Sequence, residues 1–171
     1  MLDSDSRSIL PPRLWRVYPF LRKLFSPWIG LRSRRRGPVM CVETAELLQD
    51  RGLGGDRSST KTGGRRQVTL IQWEHLAVIA GLCGDSFIAP ERLRRNLAVS
   101  GINISSLRAC RFRLGDALLE GTGFCPPCSC MELELGRGGF NAMRGHGGIT
   151  ARVLSGGPVS VGSPQVPVEI R

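Results

Sequence analysis

The chain has 171 residues, of which 41% are hydrophobic and 22% are charged, a composition typical of one globular domain with a real core. No uncharged run approaches the roughly 20 residues of a transmembrane helix, and no apolar segment near the start resembles a secretory signal. We therefore expect a cytoplasmic protein. In a reducing compartment its six cysteines are not expected to form disulfides, which leaves metal binding or thiol reactivity.

The formal net charge of +10 is concentrated near the N-terminus. Residues 1–40 carry nine basic and two acidic side chains, a net charge of +7, whereas residues 41–171 carry the remaining +3. A nucleic-acid-binding domain usually concentrates positive charge on its folded body. The charge distribution therefore favours a basic N-terminal arm, and no nucleic-acid partner is expected.

The first predicted segment is this arm, an N-terminal extension at residues 1–33. Apolar residues between positions 13 and 25 recur at helical spacing with basic residues between them, a pattern that could form an amphipathic helix against a membrane surface or a partner. Several prolines limit any such helix, and chain termini are usually loosely ordered. The sequence therefore favours a poorly ordered arm over membrane contact, followed by one domain at residues 34–171.

The domain is predicted to be mainly β (α+β). β-branched runs and alternating apolar residues indicate strands, and longer periodic segments indicate helices. The predicted elements are strands at 39–42, 67–71 and 97–99, hairpins at 110–120 and 149–161, and helices at 72–83 and 128–135. Short strands between glycine-rich turns favour a β-barrel or sandwich with two or three added helices.

A cysteine loop lies between the predicted 110–120 hairpin and the second helix. Residues 121–130 hold three of the six cysteines, and paired prolines stiffen the loop. A reactive thiol needs access, a fixed position and a lowered pKa, which a helix start can provide. Cys128 follows a proline and opens the predicted helix, so it is the candidate nucleophile. Cys125 is a candidate helper thiol.

Three interpretations of this loop remain open from the residues alone. Cys125 and Cys128 have the spacing of half a structural zinc site, but no second ligand pair follows. The same pair has the spacing of a thiol–disulfide redox motif, without the βαβ pattern that accompanies it in thioredoxin-like proteins. The third interpretation is a single reactive cysteine, Cys128, that carries sulfur or ligates a metal cofactor.

A series of short motifs resembles the MOSC domain, the module shared with the C-terminal part of molybdenum cofactor sulfurases. The resemblance extends from about residue 39 to the C-terminus and is greatest to the short bacterial stand-alone members. Its motifs, in order, are Gly55-Asp56-Arg57, residues 65–71, Arg94-Arg95-Asn96-Leu97, Gly115-Asp116, Pro127-Cys128, and Gly145-x-Gly147-Gly148.

The resemblance implies a MOSC-like β-barrel with a few short helices, and it implies roles for named residues. Cys128 matches the family's characteristic cysteine, which is thought to carry a persulfide in cofactor sulfurases and ligates molybdenum in amidoxime-reducing relatives. Arg57, Arg94 and Asn96 match positions that line the cofactor pocket. Arginine forks suit the phosphate of molybdopterin, and an asparagine amide suits the pterin edge.

The implied function is a sulfur carrier or a molybdenum-cofactor-binding protein, either sulfurtransferase-like or a molybdenum-dependent oxidoreductase. The alternatives are a reductase of N-hydroxylated compounds and a non-enzymatic, zinc-stabilised binding module. No pyridoxal phosphate site is expected, because the chain has no aminotransferase-like domain. The implied partners are a sulfur donor such as a cysteine desulfurase, and a molybdoenzyme or redox protein.

Two positions depart from the family pattern. Ser58 stands where the short members often have histidine, and Cys130 stands where a basic residue is common. Loss of positive charge near Cys128 would weaken stabilisation of its thiolate. The departures therefore bear on activity more than on fold.

Overall fold

The computed structural model describes residues 25–169, and the side chains of residues 25–164. Its strands are β1 (Phe25–Leu31), β2 (Met40–Val42), β3 (Thr44–Leu48), β4 (Gly52–Leu53), β5 (Val68–Gln72), β6 (Leu97–Ser100), β7 (Arg111–Leu114), β8 (Ala117–Phe124), β9 (Ile149–Ser155), β10 (Gly157–Ser160) and β11 (Gln165–Glu169). Its α-helices are α1 (His75–Cys83), α2 (Cys130–Leu135) and α3 (Gly139–Ala142), and single 3-10 turns span Arg57–Thr60, Pro90–Leu93 and Ile104–Leu107. No helix in the described part of the chain is both long and apolar enough to cross a membrane.

Eight of the strands form one sheet in the order β11-β7-β8-β9-β5-β6-β1-β2, and β10-β3-β4 form a second. Neighbouring strands are antiparallel except for β5 and β6, which run parallel and are connected through α1, as a parallel pair requires. The large sheet curls so that Phe25 meets Pro164 in an isolated bridge. The mainly β class is thus confirmed, but no continuous ladder closes a barrel in the described residues.

Strand β1 lies inside the segment that the sequence assigned to the N-terminal extension. It is an interior strand of the large sheet, because it pairs with β2 on one side and β6 on the other. Ile29 is fully buried, and the Ser26 hydroxyl donates to the Ala98 carbonyl at 3.0 Å. Phe25 to Leu31 therefore belong to the folded domain, and the rest of the predicted amphipathic segment, residues 13–24, lies outside the described residues.

The remaining predicted elements differ in detail from the structure. The hairpin of β7 and β8 is confirmed, with Arg111 opposite Glu120. The predicted second hairpin is wrong, because β10 leaves β9 and pairs with β3 in the second sheet. Gly156 permits this crossing, since an added Cβ would lie 2.5 Å from the Leu47 carbonyl oxygen.

Both predicted helices begin later than expected. The first was predicted from residue 72, but Gln72 still pairs with Val99 in the sheet, so α1 begins at His75. The second was predicted from residue 128, but α2 begins at Cys130. Cys128 therefore lies in the loop before α2 rather than within its first turn.

Two apolar clusters make up the core. One lies among the strands and includes Leu70 and Phe112. The other packs the helices against β5 and β6 and includes Ile79, Met131 and Met143. Burial of each such side chain contributes about 1.5–3 kcal/mol. This second cluster fixes α2 and α3, and through α2 it fixes the C-terminal end of the cysteine loop.

Candidate functional site

The cysteine loop connects the end of β8 to the start of α2. The Cys125 amide donates to the Gly148 carbonyl at 2.9 Å, and the Met131 amide donates to the Cys128 carbonyl at 2.9 Å. The loop is thus tied to β9 at one end and to α2 at the other. Within it Cys125 is buried and Cys128 is exposed, so the two thiols are not equivalent.

Cys128 has the accessible thiol expected of a nucleophile. Its partial burial raises the pKa. Hydrogen bonds from the Cys130 amide and thiol, together with the positive charge of Arg95, lower the pKa by more than burial raises it. The net effect places the pKa of Cys128 below its ordinary value. At a given pH a larger fraction of this thiol is therefore in the thiolate form, which is the nucleophilic and metal-binding form, than of an unperturbed thiol. Its stabilisation comes from these individual groups, among them the first amide of α2, and no dipole of a long helix is needed, since α2 has only six residues.

Cys125 occupies a different environment. Only 1% of the residue is exposed, and its sulfur accepts a hydrogen bond from Arg66 Nη2 at 3.4 Å. The structure thus places the proposed helper thiol beneath an arginine. A helper role for Cys125 stays a prediction.

Arg95 supports the cysteine loop from below and was not singled out by the sequence. The residue is only 4% exposed. Its guanidinium donates to three carbonyl oxygens: Gly147 at 2.9 Å, Leu93 at 3.0 Å and Cys125 at 3.4 Å. Burial lowers the pKa of Arg95, while the nearby thiols of Cys125 and Cys128 raise it. A buried cation satisfied only by carbonyls keeps its charge available to the thiolate.

The backbone at Arg94 explains why Arg95 turns inward. Arg94 ends the Pro90–Leu93 turn in the left-handed conformation, with φ of 57°, which is uncommon for a residue with a side chain. Arg94 stays partly exposed, whereas Arg95 is buried. Two consecutive arginines do not indicate a left-handed turn. The sequence therefore could not show which of the two, Arg94 or Arg95, is buried.

Asp56 organises the opposite wall of the site. Its Oδ1 accepts from the Ser58 amide at 2.8 Å and the Ser58 hydroxyl at 2.7 Å. Its Oδ2 accepts from the Arg32 amide at 2.9 Å and from Asn96 Nδ2 at 3.1 Å. The carboxylate thus caps the short turn that begins at Arg57 and holds it against the chain after β1. Ser58, one of the departures from the family pattern, donates its amide and hydroxyl hydrogens to this cap.

Asn96 is tied into the same network. Its Oδ1 accepts from the amide and the hydroxyl of Thr69 at 3.1 and 2.9 Å. Its Nδ2 donates to Asp56 and, at 3.4 Å, to the Gly30 carbonyl. Both ends of the amide therefore have partners within the fold. A direct contact between Asn96 and a cofactor stays a prediction, while its hydrogen bonds show that it connects β1, β5 and β6.

Five arginines lie within electrostatic range of Arg32 or Arg95, and we refer to them as the arginine cluster: Arg32, Arg57, Arg66, Arg94 and Arg95. Burial and then the charge of Arg94 lower the pKa of Arg32, with Arg57 and Arg66 acting in the same direction and Asp56 opposing them. Arg95 in turn interacts with Arg66 and Arg32 as well as with the two thiols. Within this cluster Arg66 and Arg95 contact Cys125 directly, and the roles of Arg57 and Arg94 at a cofactor stay predictions.

The arginine cluster carries positive charge that the fold does not neutralise. Among residues 25–164, none of its guanidinium groups lies within 4.0 Å of a carboxylate oxygen. The Nε of Arg32 is buried and has no hydrogen-bond partner in this part of the chain. Guanidinium groups bind phosphate and carboxylate strongly. The arrangement is therefore suited to an anionic ligand beside an accessible thiolate.

The other interpretations of the loop find less support. No three His, Cys, Asp or Glu side chains in the described residues come together in a way that could hold a metal ion, whereas a structural zinc site takes four ligands. Strand β8 is antiparallel to both of its neighbours. The parallel βαβ setting of thioredoxin-like motifs is therefore not present around Cys125 and Cys128.

Comparisons with known proteins agree with this geometry. The family model for the MOSC domain matches residues 51–165. The crystal structure of the YuaD protein from Bacillus subtilis has a TM-score of 0.70 at 21% identity, covering 84% of this chain and 94% of that one. YiiM from Escherichia coli has a TM-score of 0.65 at 23% identity, covering 85% and 70%.

YiiM from Geobacillus stearothermophilus has a TM-score of 0.69 at 16% identity, covering 85% of this chain and 75% of that one. At these identities the three structures show that the fold is shared. No curated protein matches the chain.

Proposed function

The chain belongs to the MOSC domain family, and from that premise we propose that it is a sulfur carrier that holds sulfane sulfur as a persulfide on Cys128. The observation that carries the proposal is the exposed thiol of Cys128, whose pKa is lowered by Cys130 and Arg95 after burial has raised it. A thiol of this kind accepts sulfur readily. A cytoplasmic location, where such a thiol stays reduced, is part of the proposal.

The transfer is a single displacement. The Cys128 thiolate attacks the outer sulfur of a donor persulfide, R–S–SH. The new sulfur–sulfur bond forms on Cys128 as the donor's bond breaks, and the donor leaves as the thiolate R–S⁻. No external oxidant is needed. The donor we propose is a persulfide-bearing enzyme such as a cysteine desulfurase.

In this step the chain's own residues position and stabilise the thiolate. Arg95 fixes the loop through the Cys125 and Gly147 carbonyls and supplies positive charge to the Cys128 sulfur. The arginine cluster would attract an anionic donor or acceptor to the same opening. Arg95 and the arginine cluster would thus bind and orient the reactants, and the bonds would change at the Cys128 sulfur.

A molybdenum-cofactor-binding role is the second candidate, and the buried, unpartnered Nε of Arg32 favours it. The donor set fits: Arg32, Arg57 and Arg94 would hold the anionic phosphate, and the Cys128 thiolate would serve as a soft metal ligand. When bound, the cofactor would supply two-electron redox chemistry, such as reduction of N-hydroxylated compounds. A molybdoenzyme or redox protein would then be the partner.

The test uses the reduced, full-length protein, exposed without oxygen to sodium tetrasulfide and quenched within seconds by an alkylating agent. We expect an early gain of one sulfur, about 32 Da, on the peptide that contains Cys128. The Cys128→Ser variant should lose this adduct, and the Cys41→Ser variant, which removes another exposed thiol, should retain it. Equal uptake by Cys128→Ser would refute the carrier.

Metal analysis distinguishes the molybdenum-cofactor-binding role from the sulfur carrier and from the zinc-stabilised module. Protein produced in a host that makes molybdenum cofactor is measured for molybdenum and pterin, with Arg32→Met as the variant. Stoichiometric molybdenum in the wild-type protein that falls in Arg32→Met supports cofactor binding. Stoichiometric zinc that survives Cys128→Ser, and no molybdenum, would instead support the zinc-stabilised module.

A further inference from the structure

A cleft lies on the outer face of the large sheet, beside the middle of β8. Its volume is about 270 Å³. Four segments of the chain line it, and they supply two arginines and one glutamate: Arg65, Ala109, Glu120, Gly121, Thr122 and Arg152. Sites that enclose a drug-sized ligand usually measure about 300–1,000 Å³. The cleft therefore has room for a small molecule or for one end of a larger one.

One wall of the cleft is held in place by close packing at Gly121. A Cβ added there would lie 1.9 Å from the Leu107 carbonyl oxygen and 2.9 Å from that of Arg108, so only glycine lets the two segments approach this closely. The guanidinium of Arg108 lies over the ring of Phe124, 4.5 Å from its centroid, a cation–π contact. The next residue, Ala109, lines the cleft. The wall is thus fixed by the backbone and brings a positive charge near the opening.

Arg65 lines the cleft from another side and is anchored to β8 at two points. Its Nη2 donates to the Thr122 carbonyl at 2.9 Å, and its own carbonyl accepts from the Thr122 hydroxyl. That hydroxyl also lies 2.9 Å from the hydroxyl of Thr150 on β9. No carboxylate of the described residues forms an ion pair with Arg65. The guanidinium is therefore positioned beside the cleft without being neutralised.

Arg152 and Glu120 belong to a row that crosses three strands. Glu120 is opposite Arg111 on β7 and Arg152 on β9. Arg152 Nε donates to Glu120 Oε2 at 2.6 Å, and Arg111 Nε lies 4.0 Å from Glu120 Oε1. Both Nη groups of Arg152 have no hydrogen-bond partner among the described residues. With Arg65 and Arg108, four arginines line or adjoin the cleft against this one glutamate, which leaves an excess of positive charge.

We propose that this cleft binds a small oxyanion, the phosphate or carboxylate group of a small molecule. Arg65 and Arg152 direct guanidinium N–H groups to the anion, and Glu120 holds Arg152 in place. A guanidinium fork matches the geometry of both anions, and groups that are already anchored lose little freedom on binding. The cleft shares no residue with the arginine cluster, although Arg66, which follows Arg65, contacts the Cys125 sulfur at 3.4 Å.

The experiment measures binding of inorganic phosphate, glycerol phosphate and succinate to the full-length protein by calorimetry, at an ionic strength of about 0.15 M that screens distant charges. We expect saturable binding of at least one of them. Arg65→Met and Arg152→Met should each raise the dissociation constant about tenfold. Arg65→Lys should recover only part of this loss, because lysine has no fork. Tighter binding of inorganic phosphate would identify a free oxyanion as the ligand, and tighter binding of either organic probe would identify one end of an organic molecule.

Two controls keep the proposal falsifiable. Arg113→Met removes an exposed charge from the same face of β7 as Arg111, outside the cleft, and should change the dissociation constant less than about twofold. Arg32→Met tests the arginine cluster as the anion site instead. The proposal is overturned if no probe binds saturably, if Arg113→Met weakens binding as much as Arg65→Met, or if only Arg32→Met weakens it. The carrier function is tested separately by the adduct on Cys128, since no sulfur chemistry takes part in this binding.

Discussion

The Asp56 carboxylate offers the sharpest test of how the site is held together. Asp56 is 3% exposed, and its two oxygens accept hydrogen bonds from Arg32, Ser58 and Asn96. The Asp56→Ala variant leaves three donors without a partner: the amides of Arg32 and Ser58, and one N–H of Asn96. The Ser58 hydroxyl keeps its second acceptor, the Gln67 carbonyl at 3.1 Å.

Each unpaired, partly buried donor costs about 1 kcal/mol. We therefore expect Asp56→Ala to lower the free energy of unfolding by about 3 kcal/mol. That is a large share of the 5–15 kcal/mol typical of a domain, and it corresponds to a fall in Tm of roughly 6–12 °C for a chain of this size. Asp56→Asn, which keeps one acceptor oxygen, should show a smaller loss.

Urea unfolding followed by tryptophan fluorescence, to which the core residue Trp28, only 5% exposed, contributes, measures this change. The matched control is Asp116→Ala in the exposed turn between β7 and β8. The Asp116 carboxylate accepts no hydrogen bond from the described residues, so its loss should cost less than about 0.5 kcal/mol. A cost below about 1 kcal/mol for Asp56→Ala, at an unchanged denaturant slope, would show that the carboxylate does not hold the site together.

Three further predictions follow from single residues. Arg95→Met removes a positive charge that lowers the pKa of Cys128, so alkylation of that thiol near neutral pH should slow roughly threefold or more; an unchanged rate-against-pH profile would contradict this. Burial, then a neighbouring imidazole, lowers the pKa of His75 from 6.5, so the folded state holds this proton less tightly than the unfolded chain. Stability should be full above pH 6.5 and fall as the pH drops below it, and His75→Gln should flatten that slope in acid titrations. Gly148→Ala, with φ of +84° and a Cβ 1.9 Å from a β5 carbonyl oxygen, should cost more than Gly63→Ala, with φ of +80° and open space. The first should exceed about 2 kcal/mol and the second stay near 1 kcal/mol, and equal costs in urea unfolding would rule out the clash.

Local patterns predicted the parts of this fold that depend on local contacts. The β7–β8 hairpin needs a two-residue turn and alternation of apolar side chains, both visible in the sequence. The pairing of β3 with β10 brings Ala45 beside Val159, and nothing in either strand specifies a partner so far along the chain. Long-range pairing of this kind is decided by the whole core rather than by local preference.

The candidate site also combines features that local sequence predicts with features that depend on the whole fold. The reactivity of Cys128 stays a prediction, but the exposure of its thiol in a proline-stiffened loop was predictable. Arg32 and Arg95 were not, because their burial follows from the sheet and from the left-handed turn at Arg94. The carbonyl partners of Arg95 also leave no trace in a sequence, since every residue has a carbonyl. A buried ion pair would place an acidic residue beside the arginine. Among the described residues, no carboxylate forms an ion pair with an arginine of this cluster.

The interior position of β1 has a consequence for synthesis of the protein on the ribosome. Ser26 bonds to Ala98, which is 72 residues further along, and its amide also bonds to the Ser163 carbonyl at 3.2 Å. β2 follows within about ten residues, but at roughly 5–20 residues per second β1 waits about 4–14 s for β6, the strand on its other side, and longer for the contact at Ser163. During that interval Trp28 and Ile29 have no sheet to cover them. A nascent chain halted before residue 98 should therefore be a better chaperone substrate than one released at full length.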